Sequence, residues 1–303
     1  MKTSNIVLAG IIIVFVGMGA YFLTKRPSEN LTGPQPTAIV PTPSPTTEPQ
    51  GEVPADGTKT VIGTSVEGRD ITAYHYGSGS KELLFVGGIH GGYSWNTALL
   101  GYELMDYLAA NPSIIPQNIR ATVIPVLNPD GLNKVVGTAG RFAASDVSTS
   151  NETLKAGRFN ANGVDLNRNF DCDWQAQGIW QHTTVSGGSK AFSEKESQAI
   201  KAYAEAHHPS AVVVWYSAAG GVFASSCSNG ISSDTRTLMD TYAGASEYRA
   251  YDTFDFYEVT GDMANWLAGQ NIPTVSVLLS THQDTEWNKN KAGIEAVFAH
   301  YAQ

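Results

Sequence analysis

His90 stands alone in "GGIHGGYSWNT" (residues 87–97), where the apolar run Leu83, Leu84, Phe85 and Val86 drops into glycines. A strand that ends this way delivers an imidazole to the rim of a sheet, where α/β proteins hold catalytic and metal sites. A zinc site asks more of its surroundings, ordinarily three or four protein ligands of which a carboxylate is often the second. No Asp or Glu occurs between Glu82 and Glu103. Ser94, four residues after His90, would act as a nucleophile only with an oriented base and an oxyanion hole, and nothing in the sequence identifies either. The other concentration of polar chemistry is "RFNANGVDLNRNFDCDW" (158–174), which carries Arg158, Asn167 and Arg168. It reads as a ligand-binding loop, and a guanidinium is the natural bidentate clamp for a carboxylate.

The elements that must position these residues are legible as short apolar runs. "ELLFVGGI" (82–89), "ATVIPVL" (121–127), "AVVVWYS" (211–217) and "PTVSVLL" (273–279) are continuously apolar and rich in β-branched residues, as buried strands are. Helical patterns fall between them, at 94–111, 193–208, 231–246 and 292–303. Ser193 followed by Glu196 has the form of a capping box. This alternation predicts one α/β domain with a largely parallel sheet. The stretch from about 129 to 192 shows no regular pattern and is too long for a simple connector, which marks it as functional or disordered.

The 28 acids against 19 bases, a net charge of -9, argue against a nucleic-acid partner, because phosphate binding needs clustered Lys and Arg. Ile6 to Leu23 form an uncharged apolar run close to the roughly 20 residues of a membrane-spanning helix. The segment "GMGAYF" offers a poor cleavage site, so an uncleaved anchor (1–26) is expected over a removed signal peptide. Residues 27–57, rich in Pro and Thr, read as an extended stalk. A stalk after a membrane helix places the domain (58–303) outside the cytoplasm. Cys172 and Cys227, the two cysteines of the chain, would form a disulfide in that compartment, the alternative being two buried free thiols.

The segments "GGIHGG", "NPDGLN", "GVDLNRNFDCDW", "WYSAAGGVFASSC", "YEVTGDMANWLAGQ" and "IPTVSVLLSTHQDTEW" resemble, in order and spacing, the zinc metallocarboxypeptidase family, the carboxypeptidase A-like enzymes, in a bacterial branch. The resemblance runs from about 60 to 303. It implies a mixed eight-stranded sheet between helices, and a zinc held by a histidine and a glutamate of the "GGxHG" loop plus a later histidine. It also implies a glutamate as general base toward the metal-activated water.

Position by position, His90 matches the first ligand. Ser94 stands at the glutamate position (Tyr93 at the commoner spacing), Tyr216 at the second histidine, and Leu278 at the general base; the nearest following acid is Asp284. The substrate-holding half matches better: Asn167 and Arg168 for the carboxylate clamp, Tyr257 for the mobile tyrosine, and Arg158 for the oxyanion-stabilising arginine at a shorter spacing. Asn265 replaces a common acidic residue. Replacement ligands would have to come from His282, Glu286 or Asp262, whose spacing singles out none of them.

The expected function is therefore a membrane-anchored pseudo-peptidase, with zinc lost or weak, that binds the C-terminal carboxylate of a peptide or peptidoglycan stem peptide. The alternatives are an active carboxypeptidase or cell-wall amidase with a rebuilt metal site, and a structural module whose old pocket is filled by Tyr216 and Leu278.

Overall fold

The computed structural model describes residues 58–303. The expected anchor (1–26) and linker (27–57) lie outside the described residues. Among the described residues, no helix is long and apolar enough to cross a membrane.

The strands are β1 (Thr58–Thr64), β2 (Asp70–Tyr76), β3 (Lys81–Val86), β4 (Ile119–Ile124), β5 (Gln177–Trp180), β6 (Thr183–Ser186), β7 (Ala211–Ser217), β8 (Gly221–Ala224), β9 (Ala250–Tyr251) and β10 (Thr274–Leu279). The helices are α1 (Trp95–Ala110), α2 (Pro129–Val136), α3 (Asn151–Ala156), α4 (Lys195–His207), α5 (Ser233–Ser246), α6 (Met263–Gly269) and α7 (Trp287–Tyr301). Eight strands form one mixed sheet in the order β1-β2-β4-β3-β7-β10-β8-β9, and β5 and β6 make a separate hairpin.

The four apolar runs become the four central strands, because each is buried on both faces. Leu83, Phe85, Val213, Trp215, Val275 and Val277 pack under α1, α5 and α7. Their neighbours Leu84, Val86, Val212, Val214, Tyr216 and Leu278 pack under α4 and α6. Two covered faces leave no polar alternation to read.

The sheet is less parallel than the alternation suggests. The central pairs β4-β3, β3-β7 and β7-β10 are parallel, as is the edge pair β8-β9, but β1-β2, β2-β4 and β10-β8 are antiparallel. Of the outer strands, β1 is mostly exposed and β2 alternates only in part, and both carry too many polar residues to announce themselves.

The stretch 129–192 also holds more structure than its composition suggests, namely α2, α3 and the β5–β6 hairpin. Its first helix follows local rules: the Asn128 side chain accepts from the Gly131 N–H at 2.9 Å, Pro129 opens the helix, and Gly137 closes it at φ 77°. The capping box at Ser193 does not form. Helix α4 starts at Lys195 with Glu194 before it; Ser193 Oγ donates to the Glu194 carboxylate at 2.7 Å, while Glu196 accepts from the Val66 N–H and from Asn160. The long-range partners outcompete the local cap.

Cys172 and Cys227 are joined as a disulfide with their Cα atoms 5.8 Å apart, closing a loop of sequence separation 55. The bridge ties the chain just after Arg168 to the chain just after β8. Replacing both cysteines by serine should lower stability by about 2–4 kcal/mol, the range for a loop of this size, read from urea unfolding with midpoint and slope fitted together, because the uncrosslinked unfolded chain exposes more surface and steepens the slope. A shift below about 0.5 kcal/mol would show that other contacts already hold these segments, in line with ordinary surface changes.

Candidate functional site

The central parallel strands end together, and their carboxyl ends open into a cavity of about 530 Å³. This is where an open α/β sheet places its ligands. Tyr216 and Leu278 face each other in the parallel register of β7 and β10, and both line the cavity. His90 reaches it from the loop after β3. That loop runs against the segment after β4: Gly88 is at φ +61°, and a Cβ there would stand 2.9 Å from the Val126 Cα. The close approach, rather than turn chemistry alone, calls for glycine.

His90 is buried at 5% exposure with its ring centroid 5.6 Å from that of Tyr216. Neither ring nitrogen has a hydrogen-bond partner, and Nε2 stands 3.6 Å from Asp165 Oδ1, beyond hydrogen-bond range. Burial, reinforced by the positive charge of Arg158, lowers the His90 pKa to about 4, so the ring is neutral at pH 7. Asp165 is fully buried. Burial alone would raise its pKa, but the Arg158 charge holds the carboxyl well below the usual carboxylate range.

The other positions that the sequence resemblance singles out, two for ligands and one for the general base, carry Ser94, Tyr216 and Leu278. Tyr216 donates its hydroxyl to Asn167 Oδ1 at 3.1 Å, and burial raises that phenol well above its ordinary pKa. Leu278 is apolar, and the buried Ser94 Oγ has no partner. Asp165 is committed to the Arg158 Nε at 2.8 Å and to the Asn167 N–H at 3.1 Å. Among the described residues, the one convergence of three potential ligand side chains is Cys172, Asp173 and Cys227, whose sulfurs are already spent in the disulfide. Glu286 is turned away to Tyr248 and Ser280, and Asp284 is exposed. Asp262 and His282 do reach the cavity.

The two arginines are buried and held differently. Arg158 pairs with Asp165 and lies 4.5 Å over the Trp180 ring. Arg168, 1% exposed, donates Nη1 to its neighbour Asn167 O at 2.7 Å and Nη2 to Ile179 O at 2.6 Å, while its Nε has no partner. No carboxylate of the described residues lies within ion-pair distance of Arg168. The charge lines the cavity without an acid in direct contact, answered only at longer range by Asp262 and Asp165. A Cβ at Gly178 would meet the Arg168 Cδ at 2.7 Å, so the β5–β6 hairpin packs directly on this side chain.

Asn167 does lie beside Arg168, but its oxygen accepts from Tyr216 and from the Met263 N–H, and its Nδ2 donates to Asp262 at 2.7 Å. One N–H of the amide remains for a ligand. Tyr257 lines the cavity with its ring centre 5.9 Å from the Arg168 guanidinium carbon. Asn265 caps the arrangement through its backbone, donating to Asp262 Oδ1 at 2.8 Å, and its side chain accepts from the Ser226 N–H.

Sequence reasoning missed Asp165, although it sits inside "GVDLNRNF", because an acid there has no assigned partner until the fold brings His90 and Arg158 to it. It also missed Trp180, which lies in a stretch without periodicity.

Residues 51–297 match the zinc carboxypeptidase family, and the chain belongs to that family. Over 217 residues it is 23% identical to gamma-D-glutamyl-L-diamino acid endopeptidase 1 of Lysinibacillus sphaericus, covering 65% of this chain and 54% of that protein. Over 139 residues it is 32% identical to the carboxypeptidase N catalytic chain of Homo sapiens, covering 40% of this chain and 27% of that one. The chain thus spans about half or less of the length of these relatives. The fold is that of murein-tripeptide amidase MpaA from Escherichia coli O157, with a TM-score of 0.58 at 20% identity over 84% of this chain and 96% of that one.

The neutral, buried His90 has a consequence for stability. Its folded pKa of about 4 lies below the ordinary 6.5. Between those values the unfolded chain takes up a proton that the folded chain refuses, so stability falls as pH drops from about 6.5 to about 4. His90→Gln should flatten that slope, and NMR of the imidazole should find it neutral down to about pH 4. Titration of His90 near pH 6.5 would contradict the burial described here.

Proposed function

We propose that this chain is a peptidase-family protein that binds the free C-terminal carboxylate of a peptide and does not hydrolyse it. The observation that carries this is Arg168, a buried guanidinium on the wall of an open cavity with no acidic partner. A buried charge without a counter-charge is costly, and an incoming carboxylate supplies the missing partner with bidentate geometry. Arg158, Tyr257 and the spare N–H of Asn167 stand around the same space.

The donor set does not fit zinc. One neutral histidine, a carboxylate already engaged by an arginine, a phenol of raised pKa and a leucine are not three converging ligands. Without the metal and the general base, no residue here generates the attacking water. The similarity to the L. sphaericus gamma-D-glutamyl-L-diamino acid endopeptidase and the E. coli murein-tripeptide amidase makes a peptidoglycan stem peptide the preferred ligand class. The disulfide and the apolar N-terminal run favour a domain anchored outside the cytoplasm.

The full chain should bind γ-D-glutamyl-L-lysine at least tenfold more tightly as the free acid than as the C-terminal amide, by calorimetry. Arg168→Met should abolish the difference. Elemental analysis after dialysis should find no stoichiometric zinc in the natural protein, whereas Ser94→Glu combined with Tyr216→His and Leu278→Glu should take it up. Equal binding of acid and amide would sink the carboxylate reading; one tightly held zinc in the natural protein, with turnover of the peptide, would establish the active-enzyme alternative.

A further inference from the structure

The cavity holds a second histidine whose protonation pattern can be worked out from its hydrogen bonds. Asn96, at the start of α1, is 0% exposed, and its Nδ2 donates to two backbone carbonyls, Thr281 O at 2.8 Å and Asp284 O at 2.9 Å. Those two acceptors fix the amide orientation, since the reverse would set oxygen against oxygen. Asn96 Oδ1 must therefore receive a proton, and the group beside it is Ser217 Oγ at 3.0 Å. A hydroxyl has one proton to give. With that proton committed to Asn96, Ser217 Oγ faces His282 Nδ1 at 3.1 Å as an acceptor, and His282 must carry its proton on Nδ1.

Nε2 of His282 is then an unprotonated lone pair. It has no hydrogen-bond partner among the described residues and is not sealed from solvent. The ring lies against Tyr93, centroids 4.5 Å apart, and lines the same cavity as Arg168 and Arg158. The rest of the described wall offers this region strong donors in the two guanidinium groups. His282 contributes the opposite function, an acceptor held in one tautomer by a relay that begins in the buried helix.

We propose that His282 Nε2 accepts the main-chain N–H of the C-terminal residue of the bound peptide. The proposal rests on the carboxylate-binding reading, because a peptide anchored by its carboxylate has that N–H as its nearest backbone donor. Arg168 reads the terminal charge, and His282 reads the amide that precedes it. The ligand class is thereby narrowed from carboxylates in general to free acids whose C-terminal residue is joined through a peptide amide, and esters of the same shape are discriminated against. Ser217 and Asn96 act through His282 and are positioning residues.

The test pairs γ-D-glutamyl-L-lysine with its depsipeptide, in which the ester oxygen replaces the N–H between the two residues. The full chain should bind the ester about five- to tenfold more weakly, the loss of one hydrogen bond to a partner left in place. His282→Phe, which keeps a ring against Tyr93, should bind the two ligands alike. An equal preference for the amide in both proteins overturns the role of His282 and leaves the carboxylate reading intact, because the free-acid preference survives. Failure of the natural protein to bind either ligand overturns both. A ligand-free measurement is independent of this: imidazole nitrogen NMR should find His282 protonated at Nδ1 and bare at Nε2 above pH 7, and Ser217→Ala should release that preference. A natural protein with the proton on Nε2 overturns the proposal outright.

Discussion

A guanidinium sealed into the protein without a carboxylate is the constraint on which the site depends. Arg168 is held by two backbone carbonyls, which occupy one N–H on each terminal nitrogen but leave Nε unpartnered and no carboxylate in contact with the charge. The Asp165 carboxylate, its near neighbour in sequence, goes to Arg158 instead. That division of labour separates an internally neutralised arginine from one that remains open toward the cavity. The hairpin β5–β6 makes it possible, since Ile179 O holds one arginine and the Trp180 ring covers the other.

Around His90 the strand ends are joined by packing with polar links. Tyr216 stands at the end of β7, and its hydroxyl joins the Asn167–Asp262 network. Burial raises the Asp262 carboxyl, with donors from Asn265 and Asn167 pulling it back. His90 is left neutral against that phenol, with both nitrogens unpartnered. A buried imidazole without a hydrogen bond is an unfavourable arrangement that a stable core tolerates locally.

The sheet organises both halves. Strands β3, β7 and β10 run parallel at its centre and end together, so residues separated by more than a hundred positions share one rim. Helices on both faces lock the rim, and the Cys172–Cys227 bridge joins the arginine loop to the exit of β8. The relay from Asn96 through Ser217 to His282 runs from α1 to the same rim. Each of these links crosses between elements distant in sequence.

The four central strands were determined by composition alone, because strands buried on both faces must be continuously apolar. The presence of His90, Asn167, Arg168 and Tyr257, and of Ser94, Tyr216 and Leu278, is likewise a matter of residue type at fixed spacing. The antiparallel edges were not legible, since β1 and β2 are half solvated and β9 has two residues. Nor were the helices and hairpin inside 129–192, whose stability comes from long-range partners such as the acceptors of Asn160 and Asn169. Only the tertiary structure decided which arginine is neutralised, where the Asn167 amide is spent and which nitrogen of His282 is bare. Those outcomes depend on which donors meet which acceptors once water is excluded, and sequence specifies the groups without specifying the pairs.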